Sequence, residues 1–338
     1  STDRSDPYWN TGFWNLLKEI PSRVKVPLYV GEGWYDHHLA SAIETYKSLS
    51  NECKAKSRFL IGAWEHGFHV KLQDKEGTHF ENDDILRTFS WFWDFLVEKK
   101  EPESQIDYYV IGDDSWYTRK NFEIENQKEL NLYIGEKKDG IYTLGKEKEA
   151  GEGTLTWIFD PEHPVITHGA ESLLVTKAEQ GSLLQPEPNY REDVISCISE
   201  PFEEEVTVVG KMQVKLTVST DVDDTAFVAK IMEVTVDGKA YNMRTGITTL
   251  GYRNQSDERQ TYTPGDKVTI TIDTWDLAWK IQKGSRIRID LTSSDFPQYA
   301  VHPNKEGAWS LHEKTAVARQ TIYTGEKYPS ALILPIVK

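Results

Sequence analysis

The spacing of apolar residues changes once along this chain, and that change limits the fold more than any other feature. Up to about residue 100, short apolar runs at 26–30 and 59–61 alternate with stretches of helical spacing at 39–49 and 83–98. Strand, helix, strand, helix is the order of a parallel sheet covered by helices. After Glu101-Pro102 the helical spacing ends, and short β-rich runs follow at 107–111, 129–134, 154–159, 206–218, 227–236, 267–272, 286–291 and 331–337, separated by Gly, Pro and Asp. Short strands with turn residues between them predict an antiparallel sandwich or jelly roll. The 206–218 run shows the period of two, with Met212, Val214, Leu216 and Val218 on one face and Lys211, Gln213, Lys215 and Thr217 on the other. The fold class expected is therefore α/β plus all-β, with a boundary near residues 100–106.

The helix expected over 83–98 has Asn82 or Asp83 as N-cap, Asp84 in its first turn and Lys99-Lys100 at its end. Ile85, Phe89, Phe92 and Leu96 share one face, and the aromatics Phe89, Trp91, Phe92, Trp93 and Phe95 read as packing against the sheet. Asp221, Asp223 and Asp224 read as a polar turn between strands, and Glu203-Glu204-Glu205 and 146–149 as solvated surface.

Charge narrows the partners. With 39 basic against 54 acidic residues and a net charge of −15, the chain lacks the basic surface that nucleic acid or an anionic membrane requires. No apolar run approaches the ~18 residues of a membrane span. The start, Ser-Thr-Asp-Arg-Ser-Asp, is too polar for a secretory signal and lacks an initiator Met, as in a fragment or a processed chain. Cys53 and Cys197 fit neither a disulfide framework nor a zinc spacing. A cytoplasmic protein without cofactor or metal is expected.

Two stretches carry catalytic residue types. Val26-Pro-Leu-Tyr-Val-Gly-Glu-Gly-Trp-Tyr-Asp36 and Arg58-Phe-Leu-Ile-Gly-Ala-Trp-Glu-His66-Gly67 are apolar strands that each end in a polar residue, 30 residues apart. Asp and His at the carboxyl ends of successive parallel strands converge where open α/β sheets bind ligands. An imidazole there can take a serine proton while the carboxylate orients the ring, so His66 is the candidate acid/base and Asp36 its orienting partner. In the α/β-hydrolase order Ser, Asp, His, the nucleophile must precede Asp36 on a G-x-S-x-G turn. None of the 22 glycines is followed two positions later by serine. His37, His38 and His69 invite a metal reading, but no H-E-x-x-H spacing accompanies them.

Both motifs resemble those of the CocE/NonD-type serine hydrolases, the family of bacterial cocaine esterase, α-amino-acid ester hydrolases, glutaryl-cephalosporin acylases and X-prolyl dipeptidyl aminopeptidases. There V-P-hydrophobic-G-G-W-x-D carries the triad Asp and G-x-W-x-H the triad His. This chain has Gly31-Glu32-Gly33 where Gly-Gly-Trp is usual. The segments 219–246, 274–304 and 328–337 resemble the family's C-terminal jelly-roll domain.

The resemblance implies the C-terminal half of an α/β-hydrolase domain over 1–104, with about 1–20 the end of a cap or the return from it. A jelly roll of the X-Pro dipeptidyl-peptidase C-terminal type then spans 105–338. It implies a serine hydrolase acting on an ester, an amide or a short peptide, with the nucleophile on a missing N-terminal half and 1–338 alone inactive. Trp34, Tyr35 and Trp64 become candidates for the substrate-pocket wall, with packing around the strand ends as the other role open to them. The alternatives are a carbohydrate- or ligand-binding jelly roll, which needs a row of exposed rings, and a degenerate hydrolase. A homodimer is compatible with either.

Overall fold

A computed structural model describes residues 5–67, 72–73, 84–171 and 179–337. The first layer contains α1 (Gly12–Arg23), β1 (Tyr29–Gly33), α2 (Leu39–Lys47), α3 (Asn51–Lys54), β2 (Arg58–Gly62), α4 (Asp84–Leu96), β3 (Gln105–Val110) and β4 (Ser115–Arg119). Its four strands lie in the order β1-β2-β3-β4. β1, β2 and β3 run parallel, with Val30 opposite Phe59 and Phe59 opposite Ile106, and β4 closes the far edge antiparallel to β3. β1 forms the other edge.

The expectation that the run 107–111 opens the β-rich part is corrected here. Parallel neighbours need a crossover connection, and α4 provides it from β2 to β3. The layer therefore extends through β4, and sheet membership changes after Arg119 rather than at Glu101-Pro102.

A second correction concerns α4. Ile85, Phe89, Phe92 and Leu96 are exposed at 67%, 69%, 44% and 54%, whereas Trp91 is buried at 4%. The face turned inward carries Arg87, Thr88, Trp91 and Phe95. A helix apolar on nearly every side offers two stripes of helical spacing, and this one packs the less obvious stripe on its own sheet. Asn82 and Asp83 lie outside the described residues.

The remaining strands are β5 (Lys128–Lys138), β6 (Ile141–Gly145), β7 (Gly153–Phe159), β8 (Ile195–Ser199), β9 (Val206–Thr220), β10 (Ala226–Val234), β11 (Ala240–Thr249), β12 (Val268–Ile281), β13 (Arg286–Thr292), β14 (Ala318–Thr324) and β15 (Ala331–Val337). They join in one mostly antiparallel sheet, ordered β11-β10-β13-β8-β6-β5-β15-β9-β14-β7, with β12 paired to β9. The sheet curls so that β12 lies against β10 and β11, giving a β-sandwich. Met212, Val214, Leu216 and Val218 are all buried at 1% or less, as alternation along β9 requires. Asp221, Asp223 and Asp224 occupy the β9–β10 turn, where their carboxylates accept the backbone N–H groups of Arg319, Glu306 and Thr225.

The two layers meet along β12. Ile111 bridges Trp279, and Lys280 holds Asp113 at 2.8 Å. No helix among the described residues is long and apolar enough to cross a membrane.

Candidate active site

Gly33 and Gly62 face each other where β1 and β2 end. A Cβ on Gly33 would lie 2.0 Å from the Trp64 carbonyl oxygen, and one on Gly62 would lie 1.8 Å from the Trp64 ring. Only glycine admits so close an approach. It lets Trp34 N–H donate to Gly62 O at 2.7 Å and Tyr35 N–H donate to Trp64 O at 3.1 Å, so the two strand ends stay together beyond the sheet. The chain then turns. Asp36 N–H donates to Gly33 O at 3.0 Å, and the Asp36 carboxylate accepts the His38 N–H at 2.8 Å just before α2 begins.

This geometry places Asp36, only 7% exposed, beside His66. Nδ1 of His66 lies 3.1 Å from Oδ2 of Asp36 and 3.3 Å from Oδ1. The imidazole is about half open to solvent, its side chain being 48% exposed, and Nε2 has no hydrogen-bond partner among the described residues. A ring held at one nitrogen by a buried carboxylate and unengaged at the other among the described residues can exchange a proton at Nε2.

Two further imidazoles stand around the same carboxylate. Nδ1 of His37 is 3.5 Å and Nδ1 of His38 is 3.8 Å from Oδ1 of Asp36. Burial and the neighbouring His38 hold His37 below its ordinary value, against the pull of Asp36. One donor atom each from Asp36, His37, His38 and His66 falls within 4.8 Å of the others, a grouping among the described residues that could hold a metal ion. His69 lies outside the described residues.

Glu32, four residues before Asp36, is a group that sequence reasoning noticed only as a departure from a motif. Its carboxyl is pushed up to about 8, first by burial, then by the Asp36 charge and by hydrogen bonding to Asp36. Glu32 and His38 line a groove of about 440 Å³ with Val30, Ser41, Thr45 and Tyr46, alongside the free edge of β1.

Among the described residues Trp34, Tyr35 and Trp64 pack around the strand ends and line no pocket. Each is 1% exposed. Trp34 Nε1 donates to Tyr109 O at 2.6 Å, and Trp64 packs against Trp116. The Tyr35 hydroxyl donates to Asn242 O at 3.3 Å, its ring lies 5.4 Å from the Arg244 guanidinium, and Arg244 forms a buried ion pair with Glu171. These rings anchor the strand ends to the sandwich. Large side chains beside glycine were the sequence signal for that role. A row of exposed rings on the sandwich is also missing among the described residues: there the aromatics that are strongly exposed are Tyr190 and Phe296.

Residues 98–333 match the family profile of the X-Pro dipeptidyl-peptidase C-terminal non-catalytic domain. The chain belongs to this family, among the CocE/NonD hydrolases. A cocaine esterase from Rhodococcus sp. (strain MB1 Bresler) is 25% identical over 331 residues, which cover 92% of this chain and 56% of that one. A crystal structure of an aminopeptidase from a marine sediment Thaumarchaeota archaeon superposes with a TM-score of 0.81 at 21% identity, covering 97% of this chain and 58% of the other. An α-amino acid ester hydrolase superposes with a TM-score of 0.75 at 19% identity, covering 98% and 61%. This CocE/NonD chain thus spans somewhat more than half the length of the relatives it matches.

Proposed function

We propose that this chain supplies the Asp and His of a Ser-His-Asp hydrolase, with Asp36 orienting His66 and His66 acting as general acid/base. The observation that carries the reading is the Asp36–His66 contact at 3.1 Å on a ring whose Nε2 has no hydrogen-bond partner among the described residues. The serine comes from sequence outside 1–338, on a segment that pairs along the free edge of β1 and completes an α/β-hydrolase domain. The apolar outer face of α4 and the exposed Phe13 and Leu16 of α1 fit such a cover. In this reading the β-sandwich is the jelly roll that holds the strand ends through Tyr35 and Arg244.

His66 Nε2 takes the serine proton as the hydroxyl attacks a carbonyl carbon, and returns it to the leaving oxygen or nitrogen as the tetrahedral intermediate collapses. Water then repeats the cycle on the acyl-enzyme. The substrate class is an ester or an amide of an acyl, aminoacyl or dipeptidyl group, in keeping with relatives named as an esterase, an aminopeptidase and an amino acid ester hydrolase. Two free buried thiols, Cys53 and Cys197, suit a cytoplasmic location.

Hydrolysis of p-nitrophenyl esters by the intact protein tests the reading. His66→Gln should remove the activity while the melting temperature stays near that of the unmodified protein. Undiminished turnover in His66→Gln would exclude His66 as the base.

A further inference from the structure

We propose that Asp36, His37, His38 and His66 bind one divalent transition-metal ion of the Zn²⁺ type, and that occupancy switches the Asp36–His66 pair off. The site itself stands on geometry. Nδ1 of His66, His37 and His38 lie 3.1, 3.5 and 3.8 Å from the Asp36 carboxylate oxygens. Four donors held about 2.0–2.1 Å from a tetrahedral Zn²⁺ stand about 3.3 Å apart, and the three His–Asp36 pairs are within about 0.5 Å of that spacing. The four donors, all within 4.8 Å of one another, close on one ion by small side-chain rotations. The three imidazole centroids are 3.8, 4.7 and 5.1 Å apart, which gathers them around one point. Three imidazoles and one carboxylate are the donor types that Zn²⁺, Ni²⁺ and Cu²⁺ favour.

A second observation points the same way. Nδ1 of His37 is buried and has no hydrogen-bond partner among the described residues. Such an orphaned group normally costs stability, and a metal–nitrogen bond would satisfy it. His38 and His66 have side chains 57% and 48% exposed, which leaves an approach open to an ion from solvent. The turn after Asp36 is what places two consecutive histidines here.

The switch, unlike the site, rests on the hydrolase reading. A metal on Nδ1 of His66 takes the lone pair there, and the single proton of the neutral ring moves from Nδ1 to Nε2. No proton is lost. Nε2 then has no lone pair with which to accept the serine proton, and Asp36 is drawn to the metal instead of to the ring.

The test is a titration of chelator-stripped intact protein with Zn²⁺ by calorimetry and with Co²⁺ by visible absorption, alongside ester hydrolysis. One equivalent should bind, with the intense Co²⁺ absorption of a four-coordinate site. His37→Ala and His38→Ala should each weaken binding at least tenfold, since loss of a mere outer-shell partner already costs ~10–100-fold. His163→Ala, at an exposed histidine outside the cluster, should not. Thermal melts verify the fold of each variant, and His38→Ala, at an exposed position, serves if His37→Ala fails to fold.

Hydrolysis should fall in step with occupancy and recover with EDTA, and His38→Ala should need more Zn²⁺ for the same fractional loss of its own metal-free rate. Saturable binding in a protein with no hydrolysis under any condition would support the site and remove the hydrolase reading. Binding that leaves hydrolysis unchanged would overturn the switch. No saturable binding, or binding that neither histidine variant weakens, would overturn the site.

Discussion

In the sandwich, β9 hides Met212, Val214, Leu216 and Val218 at 1% exposure or less, and it pairs with β12, β14 and β15. In the first layer, α4 shows solvent Ile85, Leu86, Phe89 and Trp93 at 59–70%, and β1 has a partner on one side only. The same chemistry, apolar side chains at regular spacing, is satisfied internally in one region and left open in the other. Among the described residues the sandwich covers its own apolar faces, whereas the first layer leaves apolar side chains and one strand edge exposed. The candidate site lies at the junction. Tyr35 is locked into the sandwich side, and the next residue, Asp36, faces the open side.

That adjacency gives the largest expected effect. Asp36→Asn should lower the hydrolytic rate of the intact protein by ~10⁴, through the wrong imidazole tautomer, with little change in melting temperature. Tyr35→Phe should do the reverse, losing about 1 kcal/mol of stability with its hydroxyl contacts and leaving the rate near normal. Equal effects of the two on rate would dissolve the distinction between the locked and the open side.

Next in size is a contrast between the regions. Leu216→Ala in the sandwich should destabilise residues 1–338 by ~2–5 kcal/mol in denaturant unfolding, the cost of a cavity in a closed core. Phe89→Ser on the open face of α4 should shift the same chain by no more than ~0.5 kcal/mol and raise its solubility. A large loss from Phe89→Ser in the isolated chain would mean that α4 is already covered.

The smallest effect isolates the open edge at one side chain. Glu32 stands near 8 in the fold against its ordinary 4.5, so the folded state keeps a proton that the unfolded chain releases. Its contribution is therefore full below about 4.5 and is lost as pH rises toward 8. Glu32→Gln should flatten the fall of melting temperature across that window, as scanning calorimetry at several pH values would show. An unchanged slope would mean that Glu32 is solvated when the protein is whole.

Much of this was legible in the residues because it is local. Period-two alternation marked β9, the apolar runs marked β1 and β2, and the residues after each run marked Asp36 and His66. What was hidden depends on contacts distant in sequence. β3 reads as one more short strand until its pairing with β2 is known, and α4, apolar on most sides, gives no periodic reason to bury Trp91 rather than Phe89. Trp34, Tyr35 and Trp64 flank catalytic residue types, but Gly33 and Gly62 clear the space that Trp64 fills, and the sandwich takes Tyr35. The crowding of His37, His38 and Glu32 on Asp36 follows from the turn after β1, whose course the spacing alone does not specify.

The central claim is that Asp36 and His66 serve a serine that lies outside these 338 residues and reaches them along β1. Labelling the intact protein with a fluorophosphonate and mapping the adduct by mass spectrometry tests it most directly. The adduct should sit on one serine beyond 1–338 and disappear in His66→Gln. An adduct on a serine within 1–338, or labelling that His66→Gln leaves unchanged, would contradict the account.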